Sequence, residues 1–242
     1  MNIIGVIPAR YASTRFPGKP LIDIAGKSMI QRVYEQCKKT GVLSDVIVAT
    51  DDERIAAHVK AFGGQVIMTD PGHQSGTDRC AEVISKYSGL CDAVINIQGD
   101  EPFIDPLQIE LVAKAFGNAS TQIASLVKRL KTEEEIKNPN VVKAIFNAKN
   151  EAIYFSRSAI PYRRNPEAHI TYYKHVGIYG YRKEVLDLVT KLPLGVLEKA
   201  ESLEQLRWIE NGYTIHLQET TMEAIAIDTP DDLKKVLESM AL

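Results

Sequence analysis

Three basic side chains lie close together near the start of the chain. Arg10, Arg15 and Lys19 fall within ten residues, and no acidic residue precedes Asp23. They follow the short apolar run Ile3–Pro8, which is typical of a buried strand in a parallel sheet. Ligands of such sheets bind at the carboxyl ends of the strands, and cations with backbone N–H groups suit a polyphosphate there. A solvated surface loop is the alternative.

Two carboxylates could supply a cation site. Asp100 follows the buried apolar run Ala93–Ile97, which places it on the ligand side of a parallel sheet. Asp228 follows an apolar stretch and precedes Pro230. Carboxylates from two distant segments can hold one Mg²⁺, which keeps waters and substrate phosphate in its shell. On local sequence alone, however, the run around Asp228 favours a helix N-cap.

The elements that would position these residues alternate between strand and helix. Apolar runs and helical spacing predict strands at Ile3–Pro8, Asp45–Thr50, Gln65–Met68 and Ala93–Ile97, and helices at Ser28–Lys39, Asp52–Phe62, Thr77–Tyr87 and Leu107–Phe116. This alternation predicts an α/β fold with a mostly parallel sheet covered on both faces.

The pattern changes in the later part of the chain. It predicts a hairpin of Val141–Asn147 with Glu151–Phe155, a strand at Tyr172–Tyr181, a helix at Leu197–Glu210, a strand near Thr214–Gln218 and a helix after Pro230. We expect one elaborated domain, residues 1–242, with an antiparallel insertion over roughly residues 138–182.

Composition excludes several classes of protein. Lysine and arginine number 29 against 31 acidic residues, and the net charge of −2 offers no broad basic surface for duplex nucleic acid. No apolar run approaches the ~20 residues of a membrane span, and without a basic leader or cleavage site we expect no signal peptide. Three cysteines without zinc-ligand spacing indicate a reducing compartment.

Two nucleotide-binding motifs are absent after the first strand. No G-x-G-x-x-G occurs there, which argues against a dinucleotide dehydrogenase. Gly26-Lys27-Ser28 resembles the end of a Walker A motif, but Leu21 stands where that motif has its first glycine. A P-loop kinase is therefore excluded.

An ordered set of motifs runs along the chain. They are Ile7–Leu21, His73–Arg79, Asn96–Pro102, Tyr154–Arg157, His175–Tyr181, Leu203–Arg207 and Ile227–Leu233. Together they resemble the signature of the 3-deoxy-manno-octulosonate cytidylyltransferase family over essentially the whole chain. The resemblance implies the Rossmann-like sheet of the nucleotide-diphospho-sugar transferases, with an inserted antiparallel dimerisation region. It also implies a cytoplasmic homodimer that transfers CMP from CTP to the anomeric 2-hydroxyl of 3-deoxy-D-manno-octulosonate (Kdo) for lipopolysaccharide biosynthesis.

The resemblance assigns roles to individual residues. The catalytic residues would be Arg10, Lys19, Asp100 and Asp228, and the two aspartates would bind Mg²⁺, so the resemblance favours a metal ligand over a cap at Asp228. CTP would be bound by Pro8, Ala9, Arg10, Ser13, Arg15, Lys19, Gln74, Ser75, Gly76 and Arg79. The sugar would be bound by Gln98, Arg157, His175, Tyr179, Glu204 and Gln205.

Several alternatives stay open at this point. Arg79 could pair with acids on an exposed helix, and His175 and Tyr179 could lie on a partly buried sheet face. Asp78 stands where the family has glutamate, which puts any role of its own in doubt. The acceptor could be another acidic sugar, amino-Kdo or a sialic acid, and a non-catalytic nucleotide-binding protein is the alternative of a different class. His175 is a candidate general base, but we favour metal-assisted ionisation of the sugar hydroxyl.

Overall fold

The computed structural model describes residues 1–12, 16–223 and 225–240. The chain divides into two compact units, one of Met1–Glu110 with Glu223–Leu242 and the other of Leu111–Met222. The single domain expected over residues 1–242 stays a prediction, because compactness does not decide whether the two units fold independently. Within the described ranges, no helix has both the length and the apolar character that crossing a membrane requires.

The first unit is built on a parallel sheet. Its elements in chain order are β1 (Ile3–Ala9), a 3-10 helix (Lys19–Leu21), β2 (Asp23–Ile24), β3 (Lys27–Ser28), α1 (Met29–Lys38), β4 (Asp45–Thr50), α2 (Glu53–Ala61), β5 (Gln65–Met68), α3 (Gly76–Lys86), β6 (Ala93–Asn96) and α4 (Pro106–Ala115), which contains the boundary between the units. The long strands lie in the order β6-β1-β4-β5, and every neighbouring pair is parallel. The predicted alternation of parallel strands and helices is confirmed.

The strand order reverses beside β1. The chain proceeds from β1 to β4 and β5 on one side and then places β6 on the other side, so the switch point lies between β1 and β6. These strands are apolar and largely buried, as expected of strands that are covered on both faces. In such sheets, ligands bind outside the carboxyl ends of the strands that flank the switch point. The segments after Ala9 and Asn96 are therefore the expected location of a site.

The second unit is largely antiparallel. Its elements are β7 (Ile123–Arg129), α5 (Glu133–Lys137), β8 (Lys143–Phe146), β9 (Ala152–Ser156), β10 (Tyr173–Arg182), α6 (Lys183–Val189), α7 (Val196–Glu201), α8 (Gln205–Glu210) and β11 (Ile215–Glu219). β10 pairs antiparallel with β7 and β8, β8 pairs with β9, and β11 lies parallel to β7. The predicted hairpin and the strand at β10 are confirmed, while β7, α5 and α6 lie where no element is predicted.

The prediction of one helix over Leu197–Glu210 is wrong. α7 ends at Glu201 because Ser202 adopts a left-handed backbone, with φ 52°, and its N–H donates to the Glu198 carbonyl. Arg207 then reaches back to Glu198, with Nη2 2.6 Å from Oε1. In one continuous helix the two residues would lie about 13 Å apart along the axis, so this largely buried ion pair requires the break.

A last helix, α9 (Pro230–Met240), belongs to the first unit. Thr229 Oγ1 accepts the Asp232 N–H at 3.3 Å, and Asp232 Oδ2 accepts the Thr229 N–H at 2.9 Å, so the two residues cap the helix reciprocally. A buried apolar cluster beneath this segment comprises Ile24, Met29, Ile227 and Val236. The cap and the cluster fix the backbone on both sides of Asp228.

Candidate active site

A cavity of about 480 Å³ lies at the carboxyl ends of β1 and β6 in the first unit. Its lining comprises Pro8, Ala9, Arg10, Ala12, Lys19, Pro20, Gln74, Ser75, Gly76, Arg79, Gln98, Gly99 and Asp100. All but Ala12, Pro20 and Gly99 are residues that the sequence predicts for CTP, the sugar or catalysis. The structure thus brings them together from distant segments. Ser13 and Arg15, also predicted for CTP, lie outside the described residues.

Lys19 joins the two predicted metal ligands. Its Nζ lies 2.8 Å from Asp100 Oδ2 and 2.9 Å from Asp228 Oδ1, and its side chain is 13% exposed. Burial lowers the pKa of Lys19, but the two carboxylates outweigh burial and raise the pKa above its ordinary value. Asp100 and Asp228 therefore converge on a single cation position.

The backbone places Asp228 beside Asp100. The Ile227 N–H donates to the Asp100 carbonyl at 2.9 Å, so the two segments are joined directly next to their carboxylates. The helix start that the local pattern indicates does exist, but Thr229 and Asp232 form its cap. The Asp228 carboxylate instead accepts a hydrogen bond from Lys19.

The pair of aspartates suits a hard divalent cation. Mg²⁺ is usually held by one or two protein carboxylates together with waters and substrate phosphates. The part of the chain that the structure describes contains no group of three or more histidine, cysteine or acidic side chains arranged for a metal ion. Asp100 and Asp228 therefore fit a metal that completes its shell with substrate, rather than a structural metal in a cage of protein ligands.

The turn before α3 forms part of the cavity wall. Ser75 Oγ accepts the Asp78 N–H at 3.1 Å, and Asp78 Oδ2 accepts the Ser75 N–H at 3.2 Å, which is a capping box. The acid at position 78 is thus used to start the helix. The cap fixes the turn that presents Gln74, Ser75 and Gly76 to the cavity.

Arg79 lies on the first turns of α3 and is only 1% exposed. Its Nη1 donates to Thr69 Oγ1 at 2.6 Å and its Nη2 to Asp51 Oδ2 at 3.0 Å, which ties α3 to the ends of β5 and β4. Pairing with an acid is confirmed, although on a buried rather than an exposed face. Arg79 lines the cavity, and its buried Nε has no hydrogen-bond partner within residues 1–12, 16–223 and 225–240.

Sequence reasoning missed Gly99, which lies between Gln98 and Asp100. A Cβ at this position would lie 2.6 Å from the Pro8 carbonyl oxygen, closer than non-bonded atoms approach. Glycine therefore allows the segment after β6 to pass against the end of β1. The available signal was a glycine directly before a candidate catalytic aspartate, since glycine is used where two backbones approach closely.

In the second unit, β10 carries two of the predicted sugar ligands. The rings of His175 and Tyr179 have centroids 5.2 Å apart, which confirms that they share a face. Ser125 Oγ lies 3.0 Å from His175 Nε2. Burial lowers the pKa of His175 to about 4, so the imidazole is neutral at pH 7. It is a hydrogen-bonding group there and a weak base.

Buried donors of the second unit include the Tyr179 hydroxyl, Gln205 Nε2 and Trp208 Nε1, which have no hydrogen-bond partner among the residues described. Gln205 and Trp208 lie one turn apart on α8, and Trp208 packs edge-on against Tyr179 with centroids 5.1 Å apart. Burial, and then the charge of Glu204 before α8, raises the pKa of Tyr179, which keeps its hydroxyl protonated. Because buried donors are normally paired, this set indicates a place for a polar ligand. Trp208, the only tryptophan, is the member that sequence reasoning missed.

Arg157 follows β9 and is anchored to the backbone of its own unit. Its Nε donates to the Glu201 carbonyl at 2.7 Å and its Nη1 to the Pro139 carbonyl at 3.1 Å. Lys143, which is fully buried, donates from Nζ to the Arg157 carbonyl at 2.6 Å. These contacts fix the position of Arg157, and its role toward a sugar carboxylate stays a prediction.

The neutral state of His175 predicts sensitivity to acid. An unfolded histidine ionises near pH 6.5, whereas the folded pKa is about 4, so the unfolded state binds more protons between these values. The free energy of unfolding should therefore fall from pH 6.5 to pH 4, by up to about 1.4 kcal/mol per pH unit from this group. We measure the free energy of unfolding by urea at each pH and plot it against pH, and the slope of this plot should be smaller for His175→Gln than for the wild type. The exposed His169 provides the control variant His169→Gln, which should keep the wild-type slope. Equal slopes in all three proteins would contradict burial of a neutral imidazole.

Comparison with known proteins gives the class of this site. A family model described as Cytidylyltransferase matches residues 4–223. Arg10 and Lys19 at a strand-end cavity, with two carboxylates on Lys19, suit transfer of a nucleotidyl group, because that chemistry depends on positioning and charge neutralisation. The chain is thus a nucleotidyltransferase of the cytidylyltransferase class.

Relatives define the family more narrowly. The 3-deoxy-manno-octulosonate cytidylyltransferase of Parabacteroides distasonis is 55% identical over 100% of this chain and 99% of its own length. The enzyme of the same name from Bacteroides thetaiotaomicron is 55% identical over 97% of this chain and 96% of its own length. A solved structure of CMP:2-keto-3-deoxy-manno-octonic acid synthetase complexed with CTP is 45% identical with a TM-score of 0.95, covering 100% of this chain and 99% of that one. The chain belongs to the 3-deoxy-manno-octulosonate cytidylyltransferase family, as its motifs predict.

Proposed function

We propose that the protein transfers the CMP group of CTP to the anomeric 2-hydroxyl of Kdo and releases pyrophosphate, a step of lipopolysaccharide biosynthesis. The observation that carries the proposal is the cavity at the β1–β6 switch point, where Arg10, Lys19 and Asp100 meet. The relatives carry a name that specifies this acceptor, so amino-Kdo and sialic acids are not favoured.

Arg10 and Lys19 are assigned to the β- and γ-phosphates of CTP. The triphosphate carries roughly four negative charges at neutral pH, so its binding requires cations and N–H donors. Ser13 and Arg15 belong to the same proposed phosphate loop. Arg79 Nε and the backbone of the turn at Gln74–Gly76 are assigned to the cytosine, because these residues line the same cavity and Nε has no partner among the described residues.

We assign one Mg²⁺ to Asp100 and Asp228, on the ground that both carboxylates already converge on one ammonium group. When bound, the ion would neutralise negative charge on the phosphates. Lys19 lines the same cavity, and with the ion in place its charge would serve the phosphates. Arg10, at the end of β1, holds the same phosphates from a fixed strand.

The acceptor is assigned to polar groups of the second unit, and Gln98 of the first unit stays a predicted sugar ligand. Kdo is an acidic, polyhydroxylated sugar, and the unpaired donors of Tyr179, Gln205 and Trp208 suit its oxygens. Arg157 is assigned to the carboxylate because a guanidinium matches a carboxylate in planar geometry. His175 and Glu204 complete the proposed set. In-line attack on the α-phosphorus requires contacts of this kind, because they fix the orientation of the 2-hydroxyl.

Pyrophosphate release tests the proposal directly. CTP is offered with Kdo, amino-Kdo or a sialic acid, with and without Mg²⁺, and UTP serves as the nucleotide control. We expect release with CTP, Kdo and Mg²⁺, and loss of release when the metal is chelated. No release with any sugar would favour a nucleotide-binding protein, and undiminished release after chelation would exclude the magnesium assignment.

We further propose a cytoplasmic homodimer. All three cysteines lie in described segments and none forms a disulfide, as is usual in a reducing compartment. The second unit exposes large apolar side chains, among them Tyr162 at 85% and Ile153 at 53%, which a second copy could cover. Light scattering at low protein concentration measures the oligomeric state, and a monomer would contradict the pairing.

Gly99→Ala is expected to lower stability and CTP affinity together. The added methyl group must displace the Pro8 carbonyl, which costs about 1–3 kcal/mol of unfolding free energy by the usual effect of overpacking. Urea unfolding and the KM for CTP measure the two effects. Gly41→Ala is the matched control, because nothing lies within 4 Å of a Cβ there, and it should change neither quantity. A normal KM in Gly99→Ala would show that the close approach to Pro8 does not shape the site.

A further inference from the structure

The ring of Tyr11 contacts two residues. One is Gly18, near the far end of the basic loop that runs from Arg10 to Lys19, and the other is Arg54, at the start of α2. Arg54 Cζ lies 3.3 Å from the ring centroid. A Cβ at Gly18 would lie 3.2 Å from atoms of the same ring, so the glycine packs directly against it. The Gly18 N–H also donates to the Tyr11 carbonyl at 2.9 Å. Backbone and ring contacts therefore close Tyr11 onto Gly18.

This closure lies next to the two cations assigned to the phosphates. Arg10 directly precedes Tyr11, and Lys19 directly follows Gly18, so the closure fixes the separation of their backbones. Gly18 has φ 71°, a left-handed conformation that favours glycine, and it starts the 3-10 helix at Lys19. Both cations line the cavity.

Arg54 is itself held in a fixed position. Its Nε lies 2.9 Å from Asp52 Oδ1 and its Nη2 lies 2.6 Å from Asp52 Oδ2, a bidentate pair. Asp52 is the N-cap of α2 and accepts the Arg54 N–H at 2.9 Å. The charge of Arg54 is thus compensated, and Arg54 is absent from the described lining of the cavity. Its contact with the loop is the stacking on Tyr11.

We propose that Tyr11 and Arg54 are positioning residues for CTP: their stacking holds Tyr11 against Gly18, so that Arg10 and Lys19 meet the phosphates together. The inference rests on the proposed assignment of Arg10 and Lys19 to CTP. Without the stacking contact, Tyr11 and Gly18 have to be brought together on binding, and the entropy cost of that ordering weakens affinity. The transfer step uses other groups, so turnover at saturating CTP is preserved.

Arg54→Ala and Tyr11→Leu are expected to raise the KM for CTP about two- to five-fold, the usual strength of an exposed cation–π contact. kcat, the KM for Kdo and the thermal unfolding midpoint should match the wild type, which separates positioning from a general loss of structure. Tyr11→Phe keeps the ring and should retain the wild-type KM. The KM for CTP of the double variant should be no higher than that of the more affected single variant, because both changes remove the same contact. Lys27→Ala, which removes another exposed cation paired with an acid, should leave the KM unchanged.

Several outcomes would overturn the inference. A normal KM for CTP in both single variants would do so, as would an additive effect in the double variant. A raised KM in Arg54→Ala with a normal KM in Tyr11→Leu would make Arg54 a direct phosphate ligand instead. If the proposed CTP site itself is wrong, Arg10→Ala and Lys19→Met would also leave the KM for CTP unchanged. This result distinguishes failure of the CTP site from failure of the positioning role.

Discussion

Asp100→Asn lowers kcat for pyrophosphate release by about 10²- to 10⁴-fold in our expectation, while the protein stays folded. Asparagine keeps the size of the side chain and one acceptor oxygen, but it removes the charge that a divalent cation requires. The folded state tolerates the change because Lys19 Nζ keeps its second partner, Asp228 Oδ1 at 2.9 Å. The loss should therefore appear in catalysis and in metal affinity rather than in stability.

Three measurements separate these effects: steady-state turnover, the thermal unfolding midpoint, and binding of Mn²⁺ in the presence of CTP by electron paramagnetic resonance. Asp23→Asn is the matched control, since Asp23 is an exposed carboxylate of the same unit whose Oδ1 accepts the Gly26 N–H at 3.1 Å. Near-normal kcat in Asp100→Asn would remove Asp100 from the metal site. A large fall in kcat together with a large fall in the thermal unfolding midpoint would make Asp100 a structural residue.

The location of the cavity is predictable from the sequence because its signals are local. β1 and β6 are short apolar runs, and polar residues begin where each run ends. Since a parallel sheet brings the carboxyl ends of its strands to one edge, the two runs predict that Arg10 and Asp100 lie at the same edge. That they lie on neighbouring strands, β1 and β6, comes from the structure. The cap at Ser75 is equally local, because a helix start depends on residues within one turn.

The role of Asp228 is not decided by its own segment. A helix start and a metal ligand can use the same residues, and the local pattern favours the cap. In the structure Thr229 supplies the cap, and the Ile227 N–H donates to the Asp100 carbonyl, which places Asp228 beside Asp100. The cap is local and lies one residue beyond the acid that the pattern favours. The contact with Asp100 joins residues more than a hundred positions apart, and a single sequence does not reveal it.

The break between α7 and α8 has the same cause. Helical spacing continues through Ser202, so periodicity predicts one helix, whereas the ion pair of Glu198 with Arg207 requires two. The break then sets the direction of α8 and with it the position of Trp208. A tryptophan on a helical apolar stripe is indistinguishable from a core residue until its Nε1 is seen to be buried without a partner among the described residues.

Lys19→Met should have two opposite effects. kcat/KM for CTP is expected to fall about 10- to 150-fold, because a charge-assisted hydrogen bond to a phosphate contributes about 1.5–3 kcal/mol. The affinity of the nucleotide-free protein for Mn²⁺ is expected to rise. In the wild type the ammonium lies 2.8 Å from Asp100 Oδ2 and 2.9 Å from Asp228 Oδ1, so a divalent cation has to displace it.

Isothermal titration with Mn²⁺ and steady-state kinetics measure the two effects. Without the ammonium, the repulsion between Asp100 and Asp228 should lower the free energy of unfolding near pH 7, and Mn²⁺ should restore it by binding the folded state. Lys27→Met is the control, because Lys27 is an exposed lysine of the same unit paired with a single acid. If catalysis falls while Mn²⁺ affinity is unchanged or lower, Lys19 serves the phosphates without holding the cation position. The two carboxylates would then be brought together by the Ile227–Asp100 hydrogen bond alone.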